Sequence, residues 1–238
     1  MVTDRQPVHT ALIIGGGIAG QRAALDIAEA GYGALLVERG PSLGGIVMQL
    51  GYMFPTHDCV LCRGGKDHGA GCTRPAISPA LHDNSRHPNI SVMTSTEVVA
   101  VEGEAGDFTV TLRSRPAYVD PARCINCDRC SAVCPVEIPD EYHAGLGKRK
   151  LIGKSSPRAI PDAYNLWEKM DVCASCRKCE PACPTNAVNL DAGPTETTVH
   201  VAAVVLGTVV MLVAGVGVAL CGDWQAKLMY DQQPMKMS

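Results

Sequence analysis

Aromatic side chains are scarce in this 238-residue chain, which holds two Phe and two Trp. A ring-packed core is thereby excluded, and the interior must be aliphatic, built from the Val, Ile, Leu and Ala that suit sheet and helix packing. Basic charge is not in excess either. The formal net charge is -3, and with no long Lys/Arg tract nucleic acid is not expected as the main partner. An export signal is also missing: Asp4 and Arg5 precede an apolar run of only Ala11 to Ile14, which stops at three glycines. The twelve Cys are therefore expected to be reduced and metal-bound in a cytoplasmic setting rather than paired in disulfides. No general acid or nucleophile stands out. The length suits one to two domains with a real core.

What the chain does have is a doubled cysteine run. Cys124, Cys127, Cys130 and Cys134 precede Pro135, and Cys173, Cys176, Cys179 and Cys183 precede Pro184 with the same spacing. Two CxxC pairs saturate a zinc ion, whereas a cubane cluster takes three thiolates from one tight loop and a fourth from elsewhere. The pattern reads as a two-cluster ferredoxin module, with a disulfide scaffold or a zinc ribbon as the alternatives. In such modules the fourth Cys of each run ligates the other cluster. One 4Fe-4S centre is then expected on Cys124, Cys127, Cys130 and Cys183, and the other on Cys173, Cys176, Cys179 and Cys134.

His9 to Ile14 reads as a buried strand that runs into Gly15-Gly16-Gly17-Ile18-Ala19-Gly20. A helix packing on Ala23, Ala24, Ile27 and Ala28 and ending at Gly31 follows, then a second strand from Gly33 to Glu38. Gly15, Gly17 and Gly20 stand as G-x-G-x-x-G, where the first permits a tight turn, the second a close pyrophosphate and the third close helix–strand packing. Glu38 lies where a carboxylate accepts from ribose hydroxyls. This predicts a dinucleotide site; the plainer alternative is an ordinary βα turn with a solvated Glu.

A smaller group, Cys59, Cys62 and Cys72, lies near His57, Asp58 and His68. It is a candidate third metal site, or Cys59 and Cys62 are a redox pair beside the nucleotide; incidental thiols are the alternative. Ile90 to Thr94 reads as a strand. Glu97 to Glu102 and Asp107 to Arg113 read as a hairpin joined by the four residues 103–106. The 37 residues from Val136 to Val172 form a long basic connection, expected as a solvated face, with a docking patch for an acidic partner as the alternative. Thr198 to Leu206 reads as one strand returning to the sheet. From Val201 to Cys221 there are 21 residues without a charge, about 31 Å as a helix and enough to span a bilayer. A C-terminal membrane helix, with membrane association through it, is therefore one candidate reading.

The chain resembles the A subunit of heterodisulfide reductase and its FAD and iron-sulfur relatives. The resemblance covers roughly residues 8 to 207. It is carried by the 15–20 loop, Phe54-Pro55-Thr56 leading to Asp58-Cys59 and Cys62, Arg86-His87-Pro88-Asn89-Ile90, Tyr118-Val119-Asp120, Gly145 to Lys150 and both cysteine runs. It implies FAD rather than NAD, with Gly44 and Gly45 of Leu43-Gly44-Gly45 joining Gly15, Gly17, Gly20 and Glu38 as its binding residues. It also implies an oxidoreductase subunit that relays or splits electrons between FAD and 4Fe-4S clusters. Expected partners are redox subunits like heterodisulfide reductase B and C, or hydrogenase and formate dehydrogenase modules. The sequence departs from the family in a loop at about Arg63 to Pro75, and in ending before most of the flavoprotein core. A carrier without functional flavin is therefore the rival reading. From about Gly207 onward the tail resembles a piece of subunit I of cytochrome bd quinol oxidase. The rival to the membrane helix takes Val216 to Asp223 as a flavoprotein strand ending in Gly-Asp, with Asp223 meeting the FAD ribityl chain.

The expected fold is α/β, a Rossmann-like FAD-binding domain, incomplete, with an inserted ferredoxin module. The expected divisions are 1–117 for the FAD-binding part with its β-meander, 118–192 for the ferredoxin insert, 193–207 for the returning strand, and 208–238 for an apolar helix and polar tail.

Overall fold

The computed structural model describes residues 10–50, 87–157, 159–166 and 171–207, together with two short strands at 211–213 and 216–218. The first part of the chain runs β1 (Thr10–Ile14), α1 (Ile18–Glu29), β2 (Gly33–Val37), β3 (Ile90–Met93), β4 (Thr96–Glu104) and β5 (Asp107–Ser114). The cysteine-rich part follows as α2 (Arg129–Ala132), β6 (Glu137–Pro139), β7 (Lys148–Lys150), β8 (Ile152–Gly153), β9 (Asn165–Leu166), α3 (Asp171–Cys176) and α4 (Cys179–Ala182). The chain then returns as β10 (Thr195–Val201) and β11 (Ala203–Leu206), followed by β12 (Met211–Val213) and β13 (Val216–Val218).

Four strands in the order β11-β1-β2-β3 make a parallel sheet. Successive side chains of a strand point to opposite faces, and the burial follows that alternation. Ile13 and Leu36 pack with Ala24, Leu25 and Ala28 of α1. Leu12, Leu35 and Val37 pack instead with Val98, Val110, Leu112 and Val201 of the antiparallel sheet β10-β5-β4. The parallel sheet is thus covered by α1 on one face and by the meander on the other, and this sandwich is aliphatic apart from Phe108, which packs against it partly buried. The helix contacts the core through Leu25 and Gln21 as well as Ala24 and Ala28, while Ala23 is only half-buried.

Three expectations are corrected. The β4–β5 hairpin closes over two residues, Ala105 and Gly106, because the ladder continues to Glu104↔Asp107. The expected single strand from Thr198 to Leu206 is two strands: β10 pairs antiparallel with β5, and past Ala202 the chain enters the other sheet as β11, parallel to β1. The expected membrane helix over 201–221 is not formed in its described part, which consists of strands; β12 and β13 pair antiparallel. Among the described residues no helix is long and apolar enough to cross a membrane. The apolar run is rich in β-branched Val, which favours the extended pleat over the helix.

The cysteine-rich part closes on itself. Val119 bridges Val188, the Asp120 N–H donates to the Ala187 carbonyl at 2.8 Å, and the Asn189 N–H donates to that of Tyr118 at 2.8 Å. Its core gathers Val119, Leu151, Ile152, Leu166, Val188 and Leu190 around partly buried cysteines. The long connection between the runs folds into two ribbons, β6–β7 and β8–β9. Much of its charge is paired internally, Lys150 with Glu137 at 3.0 Å and Lys154 with Asp162 at 2.6 Å.

Candidate nucleotide loop and cysteine cages

The turn after β1 uses Gly15 at φ +105°, a conformation that L side chains rarely adopt. Gly20, in the first turn of α1, lies against the Gly15 carbonyl so closely that a Cβ there would overlap it. The amino end of α1, capped by Gly17, has no acidic residue in its first turn, so its free N–H groups and dipole are left for an anion. Gly44 and Gly45 are brought to the same loop: the Gly44 N–H donates to the Gly16 carbonyl at 2.8 Å, and Gly45 packs on Gly17. Glu38, at the end of β2, accepts from the Gly16 N–H and the Gly40 N–H, each at 2.6 Å. All six predicted loop residues thus meet at the carboxyl edge of the parallel sheet, where open α/β sheets bind ligands.

Gln21 was not predicted. Its side chain is buried and donates to the Gly16 carbonyl at 2.6 Å, while its Oε1 is buried with no partner. The only hint in the sequence is a polar residue next to Gly20, on the helix face that must pack.

Cys59, Cys62 and Cys72, and with them His57, Asp58 and His68, lie outside the described residues. Cys221 also lies outside the described residues, and the eight described cysteines are free. Cys124, Cys127, Cys130 and Cys183 line one small pocket with Ile125, Val119, Ala187 and Val188. Burial pushes the Cys130 thiol up to about 11, and the nearby Cys124 and Cys183 sulfurs add to the rise. Cys179 is raised by burial first, and then by Cys134 and Cys173. In each group the neighbouring sulfurs include one from the other run. Cys183 is opposed by burial, but hydrogen bonds from Thr185 and from the Ala187 and Val188 N–H groups hold it below its ordinary value; the Ala187 N–H lies 3.2 Å from the sulfur. Among the described residues no three His, Cys, Asp or Glu side chains close to single-ion distance.

The first pocket fits a thiolate-held cluster: four sulfurs from two segments, an apolar wall, and an N–H directed at one sulfur. Tyr164 also lines it, and donates its hydroxyl to Asp128 Oδ1 at 2.8 Å. Burial, then the Asp128 carboxylate, raises the Tyr164 hydroxyl far above its ordinary value, so it stays protonated. Around the second run, Arg177 donates to both Glu180 oxygens at 2.6 and 2.8 Å and to both Asp191 oxygens at 3.1 and 2.6 Å.

Comparison with known families matches an FAD binding domain over residues 10–53 and a 4Fe-4S binding domain over residues 117–140. A solved L-proline dehydrogenase from P. horikoshii is 21% identical, covering 45% of this chain and 20% of its own, with a TM-score of 0.29, too slight a likeness to carry an argument. The iron-sulfur A subunit of the CoB–CoM heterodisulfide reductase of Methanocaldococcus jannaschii is 41% identical over 194 residues, 82% of this chain and 27% of its own. The second iron-sulfur A subunit of the same enzyme from Methanopyrus kandleri is 44% identical over 165 residues, 69% of this chain and 22% of its own. The chain therefore spans about a quarter of the length of these relatives, and over most of its own length it is similar to the A subunits of heterodisulfide reductases.

Proposed function

We propose that this chain is an electron-transfer portion of an FAD and iron-sulfur oxidoreductase of the heterodisulfide reductase A kind, working with further redox subunits. The FAD-binding part is 1–117, the ferredoxin insert is 118–192, and 193–207 is the return to the sheet. Hydrogenase or formate dehydrogenase modules, or reductase B- and C-like subunits, are the proposed partner types; the relatives are named as A subunits of reductases. The observation that carries the reading is Cys183 in one pocket with Cys124, Cys127 and Cys130, a crossing that two independent zinc loops would not need.

In this reading FAD exchanges electron pairs and the clusters carry single electrons. The protein's work is binding and tuning. The amino end of α1 and the 15–20 loop hold a pyrophosphate, and Glu38 fixes the loop and the adjoining turn. Cys124, Cys127, Cys130 and Cys183 form the first cage, and Cys173, Cys176, Cys179 and Cys134 the second. The buried Cys130 thiol, costly to ionise alone, gives up its proton on ligation. Hydrogen bonds to Cys183 then tune the sulfur.

Anaerobic isolation followed by flavin, iron and sulfide analysis tests the reading. One FAD with about eight irons is expected; about twelve would add a cluster at Cys59, Cys62 and Cys72. Clusters without flavin would reduce the chain to an electron carrier, and absence of iron would overturn the reading.

A further inference from the structure

The long connection between the cysteine runs holds no cysteine, yet it delivers one side chain to the first cage. A cleft of about 400 Å³ runs between the parallel sheet and the insert, bordered by Thr94, Thr96, Arg115 and Tyr118. The first cage lies beside it, and two residues line both spaces, Val119 and Tyr164. Val119 is fixed through its backbone by the bridge to Val188. Tyr164 is fixed through its hydroxyl, on Asp128, at 2.8 Å.

Asp128 stands at φ +62° between Cys127 and Cys130, as the cap of the short α2 that carries Cys130. A second tie joins the same two segments, from Asn126 Nδ2 to the Asp162 carbonyl at 2.7 Å. The connection is itself anchored beside the nucleotide loop. The Leu43 N–H donates to the Ile160 carbonyl at 2.9 Å, and Ser155 Oγ donates to Ser42 Oγ at 2.7 Å. Cys127 and Asp128 form the exposed rim of the cage, and Tyr164 with Val119 forms its wall on the cleft side.

We propose that Tyr164 is a positioning residue of the first cage: its ring shuts the cleft's water out and its hydroxyl holds the Cys127–Cys130 turn, which sets a lower reduction potential there. The inference rests on the cluster reading above. Reduction adds negative charge to the cluster, which water stabilises and a dry wall does not, so opening the wall raises the potential.

The test is a redox titration of the full chain followed by electron paramagnetic resonance, with the first-cage signal assigned as the one lost in Cys127→Ser. Tyr164→Ala is expected to shift the first midpoint upward and leave the second unchanged. Tyr164→Phe, which keeps the ring, is expected to lie closer to wild type. An unmoved first midpoint in Tyr164→Ala, or equal shifts in both, overturns the proposal. If Tyr164→Ala fails to load the first cage, Tyr164→Phe must still load it, and a Phe variant without that signal overturns the proposal as well. Eight irons with an unmoved midpoint sinks the role of Tyr164 alone, whereas wild-type protein without iron sinks the cluster reading and this inference together.

Discussion

Gly207, the residue after β11, lies in backbone contact with Gly20 of the nucleotide loop. A Cβ at position 207 would stand 2.7 Å from the Gly20 Cα and 2.9 Å from the Gly15 carbonyl oxygen. The Gly207 N–H also donates to the Ile14 carbonyl at 2.8 Å. The strand that re-enters the sheet after the cysteine-rich insert therefore packs directly on the loop that begins the chain's fold. Gly207→Ala is expected to destabilise the protein by about 1–3 kcal/mol, as overpacking does, and to lower flavin content while both cluster signals persist. Thermal denaturation and flavin absorbance check it, and unchanged flavin content would mean that the loop does not hold the flavin.

Glu38 bridges two backbone donors, and an amide in its place presents only one acceptor and sets an NH2 group against an N–H. Hydrogen bonds to a charged group are worth about 1.5–3 kcal/mol each. Loss of one predicts FAD binding weaker by roughly ten- to a hundredfold in Glu38→Gln. Calorimetric titration of the flavin-free protein measures it.

Arg177, between Cys176 and Cys179, joins Glu180 to Asp191, and Glu180 Oε1 also accepts from the Leu190 N–H at 3.0 Å. The clamp is solvent-exposed, so its loss is expected to weaken the local fold only modestly. Arg177→Met is expected to shorten the lifetime of the second cluster in air and to leave the first unaffected. Equal lifetimes by absorbance decay would contradict this.

The local chemistry was legible because it is written at short range. G-x-G-x-x-G needs only a strand before it and a helix after, and the cysteine spacing carries its own cluster logic. Relations across the chain were not legible. Nothing local marks Ala202 as the point where one strand leaves the meander and enters the parallel sheet, since both halves are rich in β-branched residues. Tyr164 lies 34 positions beyond Cys130 and meets the first cage only through the fold. The described part of 201–221 is strand rather than the expected helix for a related reason: a charge-free run records only apolarity, and its β-branched content distinguishes strand from helix. Nothing in the spacing marks Gln21 as the residue whose side chain ties α1 to Gly16.

Exchange of the fourth ligand between the two runs is the central claim. Cys183→Ser and Cys134→Ser test it most directly, read by electron paramagnetic resonance beside Cys127→Ser and Cys176→Ser. Cys183→Ser is predicted to perturb the same signal as Cys127→Ser, and Cys134→Ser the same signal as Cys176→Ser. If Cys183→Ser instead perturbs the signal lost in Cys176→Ser, each run holds its own metal and the crossed arrangement is wrong.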